Sequence, residues 1–163
     1  MMQFITDGML GKLSRWLRLL GQDVIYCKND SDEDILQKAR AERRTLLSRD
    51  VELVRLANSH GVDAFYVEAT DLSKQLALVC SRFGVAPSPL STSSRCTICN
   101  SRVRPVSPTE VENKVLKNVL KAFSEFWICD RCGRVYWRGS HWKRINETLD
   151  RVHNTISPSR NAR

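Results

Sequence analysis

"QFITDGMLGKLSRWLRLLGQDVIYC", residues 3–27, decides the fold. Residues 3–6 are a short apolar run. Leu10, Leu13, Leu17 and Leu20 then recur at helical spacing until Gly21 stops the pattern, and residues 23–27 are again β-branched and aromatic. A strand, a helix and a second strand within so short a span point to parallel strands joined through a helix. The pattern continues outward. "SDEDILQKARAER" (31–43) opens on an N-cap serine with acids in its first turn and bases in its last, "TLLS" (45–48) is a third strand, and "VELVRLANSHG" a third helix. "DAFYVE" (63–68) and "DLSKQLALVCSRFG" (71–84) repeat the pair. The expected class is α/β, a parallel sheet flanked by helices over residues 1–84.

The composition, 42% hydrophobic and 27% charged with seven Gly and five Pro in 163 residues, excludes a disordered chain. No apolar run reaches the roughly 20 residues of a membrane helix, and "MMQFITDG" lacks the basic and apolar regions of a signal peptide. A soluble, cytoplasmic protein without membrane contact is expected. In that reducing setting six cysteines point to metal rather than disulfides. The charge is unevenly divided. Residues 1–90 hold 12 basic and 12 acidic side chains, whereas residues 91–163 hold 14 and 6, so the whole net charge of +8 lies in the second part.

"VAPSPLSTSS" (85–94) reads as a linker, residues 95–145 as a second small module, and residues 146–163 as a polar C-terminal tail. Cys96-x-x-Cys99 and Cys129-x-x-Cys132 supply four thiolates in two knuckles, which is the ligand set of a closed, tetrahedral, structural Zn²⁺ site. Gly133 suits the tight turn after the second knuckle. Cys27 and Cys80 lie in a strand and a helix and read as small buried apolar residues.

A parallel sheet gathers the carboxyl ends of its strands at one edge, where ligands bind. Asp7 follows the first strand, Asp30, Asp32 and Asp34 follow the second, and Asp50 follows the third. One such aspartate is most simply a helix cap. Acids from three strand ends repel one another unless a cation binds, and Mg²⁺ or Mn²⁺ is the guest that hard carboxylate oxygens suit.

These segments, "FITDGMLGKLSRWLRLLGQDV", "SDEDILQKARAERRTLLSRD", "RCTICN" and the run from Glu125 to Trp142 with "CGRVYWRGSHW", resemble the Mut-seven C-terminal RNase domain family, a PIN-like nuclease fold followed by a four-cysteine zinc ribbon. The resemblance implies a metal-dependent ribonuclease, endonucleolytic in action, whose catalytic and Mg²⁺- or Mn²⁺-holding acids are Asp7, Asp32 and Asp50. Ser48 stands where the family more often has threonine. PIN-like sites often carry a fourth acid. Asp71 is the candidate here, since Asp63 begins a strand at the opposite end of the sheet.

The second module carries a basic helical insertion, "EVENKVLKNVLKAF", read as one helix with Lys114, Lys117 and Lys121 on a single face. Arg134, Tyr136, Arg138, His141 and Lys143 complete the candidate RNA-binding set, because arginine and lysine track phosphates and rings stack on unpaired bases. RNA is therefore the expected partner, with ribosomal and transfer RNA as candidate classes. A reading from another class is a non-catalytic RNA-binding or ribosome-associated factor with a degenerate PIN-like site, which the lack of an evident fourth acid would suit.

Overall fold

Phe4 and Ile5 are neighbours in sequence and both fully buried, in different apolar clusters, so the strand that holds them is covered on both faces. The computed structural model describes residues 1–88 and 94–157. In it β1 (Gln3–Thr6), β2 (Asp23–Tyr26), β3 (Thr45–Ser48) and β4 (Ala64–Tyr66) form a parallel sheet in the order β2-β1-β3-β4. Helices α1 (Gly11–Leu19) and α4 (Leu72–Phe83) share one core with Phe4, Val24 and Leu47, while α2 (Asp32–Glu42) and α3 (Val51–Ser59) share the other with Ile5 and Leu46. The α/β class expected from the strand and helix alternation is the class observed. The chain leaves β1 toward β2 on one side and then crosses to β3 on the other, which opens a crevice between the carboxyl ends of β1 and β3.

The second module is an antiparallel sheet of β5 (Arg104–Val106), β6 (Phe126–Ile128) and β7 (Val135–Trp137) beside the two cysteine knuckles. Its insertion differs from expectation. The run from 110 to 123 is not one helix. It divides into a 3₁₀ turn, Pro108–Val111, started by the Ser107–Glu110 capping box, and a short α5, Lys117–Ala122. Leu116, at the start of α5, is extended and 71% exposed, and α5 buries none of its residues. A helix with no covered apolar face gains little from continuing through Asn113 and Val115, whose propensities are poor.

The tail expected from residue 146 is corrected more sharply. Residues 142–156 form α6 (Trp142–Ile156), which buries Leu149 and Val152 in the core shared by α1 and α4 and packs Ile145 and Ile156 against it. Those four residues sit at helical spacing, a stripe masked by the polar residues between them. The chain therefore returns from the cysteine module to the first sheet. Of the stretch read as a linker, residues 89–93 lie outside the described residues, as do 158–163 of the expected tail. Val85 and Ser94 at its ends are buried, and the Ser94 hydroxyl donates to the Leu19 carbonyl at 2.8 Å.

The two sheets are joined through the outer edge of β2. Arg18, 7% exposed, donates from Nε and Nη2 to the Val24 carbonyl at 3.0 and 2.8 Å and from Nη1 to the carbonyls of Thr97 and Ile98 at 3.1 and 2.9 Å. Asn100 accepts the Val24 N–H at 3.1 Å and donates to Asp23 at 2.7 Å. Asp23 also receives Arg44 at 2.9 Å and pairs with Arg95 at 3.4 Å. Burial opposes ionisation of Asp23, but the bonds from Arg44 and Asn100 outweigh it and hold the carboxyl below its ordinary range. Such a group stabilises the fold above the unfolded carboxyl value of about 4 and loses that contribution as pH falls through the lower folded value. Asp23→Ala removes the acceptor that Arg44 and Arg95 share, leaving Arg44 with Glu42 and Arg95 with the Asn100 carbonyl, and is expected to cost about 2 kcal/mol at neutral pH. Urea midpoints measured against pH check this: wild type falls more steeply in acid than the variant, and parallel curves would contradict a structural role for the carboxylate.

Candidate active site and metal centre

At the crevice between β1 and β3 the carboxylate of Asp7 is 7% exposed. Its Oδ1 accepts the Met9 N–H at 2.8 Å, as the cap of a 3₁₀ turn, and its Oδ2 accepts the hydroxyl of Ser48. Ser48, fully buried at the end of β3, accepts in turn the N–H of Asp50 at 2.9 Å. Asp7 and Asp50 are thus tied through one serine. Next to Asp7 in sequence, Thr6 shares a hydroxyl bond with Ser14 at 2.7 Å, and both residues are fully buried. Gly8 is required here, because a Cβ would meet the Lys28 carbonyl oxygen at 2.7 Å. That close approach lays the loop after β1 against the loop after β2, and Tyr26 donates from its hydroxyl to the Gly8 carbonyl at 3.1 Å.

Asp50 caps α3 through Oδ1, which accepts Glu52 and Leu53 N–H groups at 2.8 and 3.1 Å. Asp32 is exposed in the first turn of α2, on a groove of about 690 Å³ that it shares with Leu36, Leu56 and His60. Asp34 forms a capping box with Ser31, and Asp30 pairs with Lys38 at 2.9 Å. Asp71 caps α4. Among the described residues the carboxylates of Asp7, Asp32 and Asp50 do not gather as three ligand atoms within 4.8 Å. No described basic side chain pairs with Asp7, although its carboxylate is buried. Ser48 is the residue that sequence reading undervalued. Its signal was its place two residues before Asp50.

The four cysteines do converge. One ligand atom from each of Cys96, Cys99, Cys129 and Cys132 lies within 4.8 Å of the others, with Sγ separations of 3.6 Å for Cys96 to Cys132 and 3.4 Å for Cys99 to Cys129. Zn–S bonds of about 2.3 Å in a tetrahedron place sulfurs about 3.8 Å apart, so the four thiols fit Zn²⁺. Both knuckles end in a left-handed residue, Asn100 at φ 67° and Gly133 at φ 71°. Burial would raise the Cys99 thiol, but the amide of Ser101 and the neighbouring thiols bring it down to about 6, whereas burial pushes the Cys129 thiol up to about 12. Cys27 and Cys80 are buried, and burial pushes their thiols up to about 12 and about 11, as expected of inert packing residues.

The basic surface is sorted by its partners. Tyr136, expected to meet RNA, is half-buried instead, and its hydroxyl lies 3.1 Å from Cys96 Sγ and 3.4 Å from Thr97 Oγ1. In the register of the sheet it sits opposite Trp127 on the cysteine side, and both pack with the knuckles. Arg138 lies over Trp127 and Trp142, at 5.7 and 5.8 Å from their ring centres, and pairs with Glu125 at 3.6 Å. Arg104 is held by Glu110 and Asp130. Lys114, Lys117, Lys121, Arg134 and Lys143 are exposed and form no ion pair among the described residues, and His141 is exposed beside Trp142. No described helix is long and apolar enough to cross a membrane.

A structural Zn²⁺ predicts one zinc per chain by elemental analysis. Removal by a strong chelator should unfold the cysteine module and free Ile98 from Arg18 and Asn100 from β2, seen as a red shift of tryptophan emission and a lowered Tm, both reversed by adding Zn²⁺. Cys132→Ser, at the most exposed ligand, should weaken zinc retention while leaving the α/β sheet folded.

No curated protein and no solved structure matches the chain. The model of one protein family does match, described as the Mut7-C RNAse domain, over residues 2–149. That span takes in the Asp7–Ser48–Asp50 crevice, both cysteine knuckles and the first half of α6, and the chain belongs to the Mut7-C RNAse domain family.

Proposed function

We propose that the protein is a divalent-metal ribonuclease that cuts RNA internally at the crevice between β1 and β3. The observation that carries the reading is Asp7, a buried carboxylate at the switch point of a parallel sheet with no described basic partner. Burying a carboxylate is costly unless its charge is matched, and a cation at the crevice mouth would match it. Asp7 and Asp50 offer hard oxygens of the kind Mg²⁺ or Mn²⁺ takes, with Asp32 supplied from the first turn of α2. When bound, such an ion activates water and offsets charge on the leaving oxygen of a phosphodiester.

The chain's own contribution is orientation. Ser48 holds one Asp7 oxygen with its hydroxyl and receives the Asp50 amide on the same atom, so the end of β3 sets the direction of both acids. Lys114, Lys117, Lys121, Arg134 and Lys143 would grip phosphates, and half-exposed Trp142 would stack an unpaired base, with His141 and Arg138 beside it. A structural zinc in the ribbon leaves no open position for chemistry and serves to hold this surface. Looped RNA, ribosomal or transfer RNA included, is the substrate class this surface suits.

The test is cleavage of a mixed, end-labelled RNA pool with Mn²⁺. Asp50→Asn should lower the rate by about 10²-fold or more while RNA binding and Tm stay as in wild type. Ser48→Ala, which removes the tether but no carboxylate, should lower it by about 10- to 100-fold, and Ser48→Thr should restore it. Binding without cutting by wild type and all three variants would instead support a non-catalytic RNA-binding factor.

A further inference from the structure

Four arginines converge on one polar pocket of about 410 Å³ between the outer edge of β2 and the cysteine knuckles: Arg18, Arg44, Arg95 and Arg131. Asp23 is the one carboxylate in its lining, and both of its oxygens are taken, one by Arg44 and Asn100 and the other by Arg95. Four thiolates and Zn²⁺ would carry a net charge of about −2, which buried Arg18 faces across the first knuckle. Arg44 divides its guanidinium between Asp23 and Glu42. One group keeps accessible donors after this pairing. Arg131 is exposed with no ion pair among the described residues, whereas the Nε of Arg95 is closed off from solvent. The pocket holds more positive charge than its one carboxylate balances, and an oxygen anion would take the free donors of Arg131.

The backbone adds a donor. Val24's N–H and carbonyl face out of the sheet edge, taken by Asn100 and Arg18, and strand alternation turns Tyr26's main chain the same way, toward the pocket that Tyr26 lines. The pocket is a broad open trough rather than a closed cage, and so fits a chain passing along it better than an isolated ion. It also leads to the crevice, because Tyr26 at its end hydrogen-bonds Gly8, the residue after Asp7.

We propose that this trough holds a backbone phosphate of the RNA strand, with Arg131 on its non-bridging oxygens. The assignment rests on the RNA reading above and adds to it a phosphate subsite on the edge of β2, built jointly by the two sheets. The zinc knuckle then serves substrate binding directly, as one wall of the subsite.

The experiment is a fluorescence-anisotropy titration of a labelled single-stranded oligouridylate with zinc-loaded protein in buffer without added divalent ions. Wild type is compared with Arg131→Ala, Arg131→Lys and the double variant Lys117→Ala/Lys121→Ala, and each is also tested for a Tm shift with inorganic phosphate. The expected result is an affinity about tenfold weaker for Arg131→Ala, with the slope of log affinity against log salt reduced by about one, and most of the loss restored in Arg131→Lys. Equal affinity for Arg131→Ala and wild type, with the lysine double variant weakened, would overturn the subsite while leaving RNA binding intact. Equal affinity together with a phosphate-induced Tm rise that only Arg131→Ala lacks would assign the pocket to free phosphate and overturn the RNA strand as its ligand. No oligouridylate binding by wild type would remove both the RNA reading and the subsite.

Discussion

A guanidinium that is 7% exposed must find acceptors, and Arg18 finds them in two sheets at once. On one side is the carbonyl of Val24 on the outer edge of β2, and on the other are the carbonyls of Thr97 and Ile98 inside the first cysteine knuckle. Hydrogen bonds from a charged donor are each worth about 1.5–3 kcal/mol, and a buried charge that loses them is costly, so neither sheet can move off the other without stranding Arg18. The arrangement also solves a problem of edges. A parallel sheet's outer strand offers unpaired N–H and carbonyl groups to any passing strand, and here the Asn100 amide and Arg18 occupy those of Val24. The opposite edge, β4, is only three residues long. The knuckle is therefore part of the sheet's boundary as well as a metal site.

The same economy governs the crevice. Asp7, Ser48 and Asp50 come from two strand ends that the topology makes adjacent, and one hydroxyl connects them. Asp7 and Asp50 also cap the elements that follow them, so the helix-cap reading and the ligand reading of these acids are compatible: one oxygen of each serves the backbone. Asp32 lies in the first turn of α2 and is exposed, so its side chain is free to turn.

Much of this was legible in residue order. Strand and helix alternation, the buried thiols of Cys27 and Cys80, the convergence of the four remaining cysteines and the acids at the strand ends all follow from periodicity, from cysteine spacing and from the rule that parallel strands share one carboxyl edge. Other parts were not. The stripe of Ile145, Leu149, Val152 and Ile156 is apolar only on one face, and a polar composition concealed it because composition averages over faces. The lysine run between 110 and 123 had the periodicity of a helix but no core to cover, and it broke. Tyr136 looked like a base-stacking ring and proved to be a neighbour of the cysteines, since a small ribbon must fill its core with whatever aromatic residues it has.

By itself the sequence determined the class of fold, the four-cysteine set and the family resemblance, because each depends on spacing along the chain: alternation with period two or near four, and paired cysteines separated by two residues. Only the tertiary structure decided which charges are spent on one another. Arg18, Arg95 and Arg104 are indistinguishable from Arg131 and Arg134 in the sequence, yet burial and ion pairing engage the first three and leave the last two free of ion pairs among the described residues. The physical reason is that an arginine's partner is set by distance and burial in space, and neither quantity is a function of position in the chain.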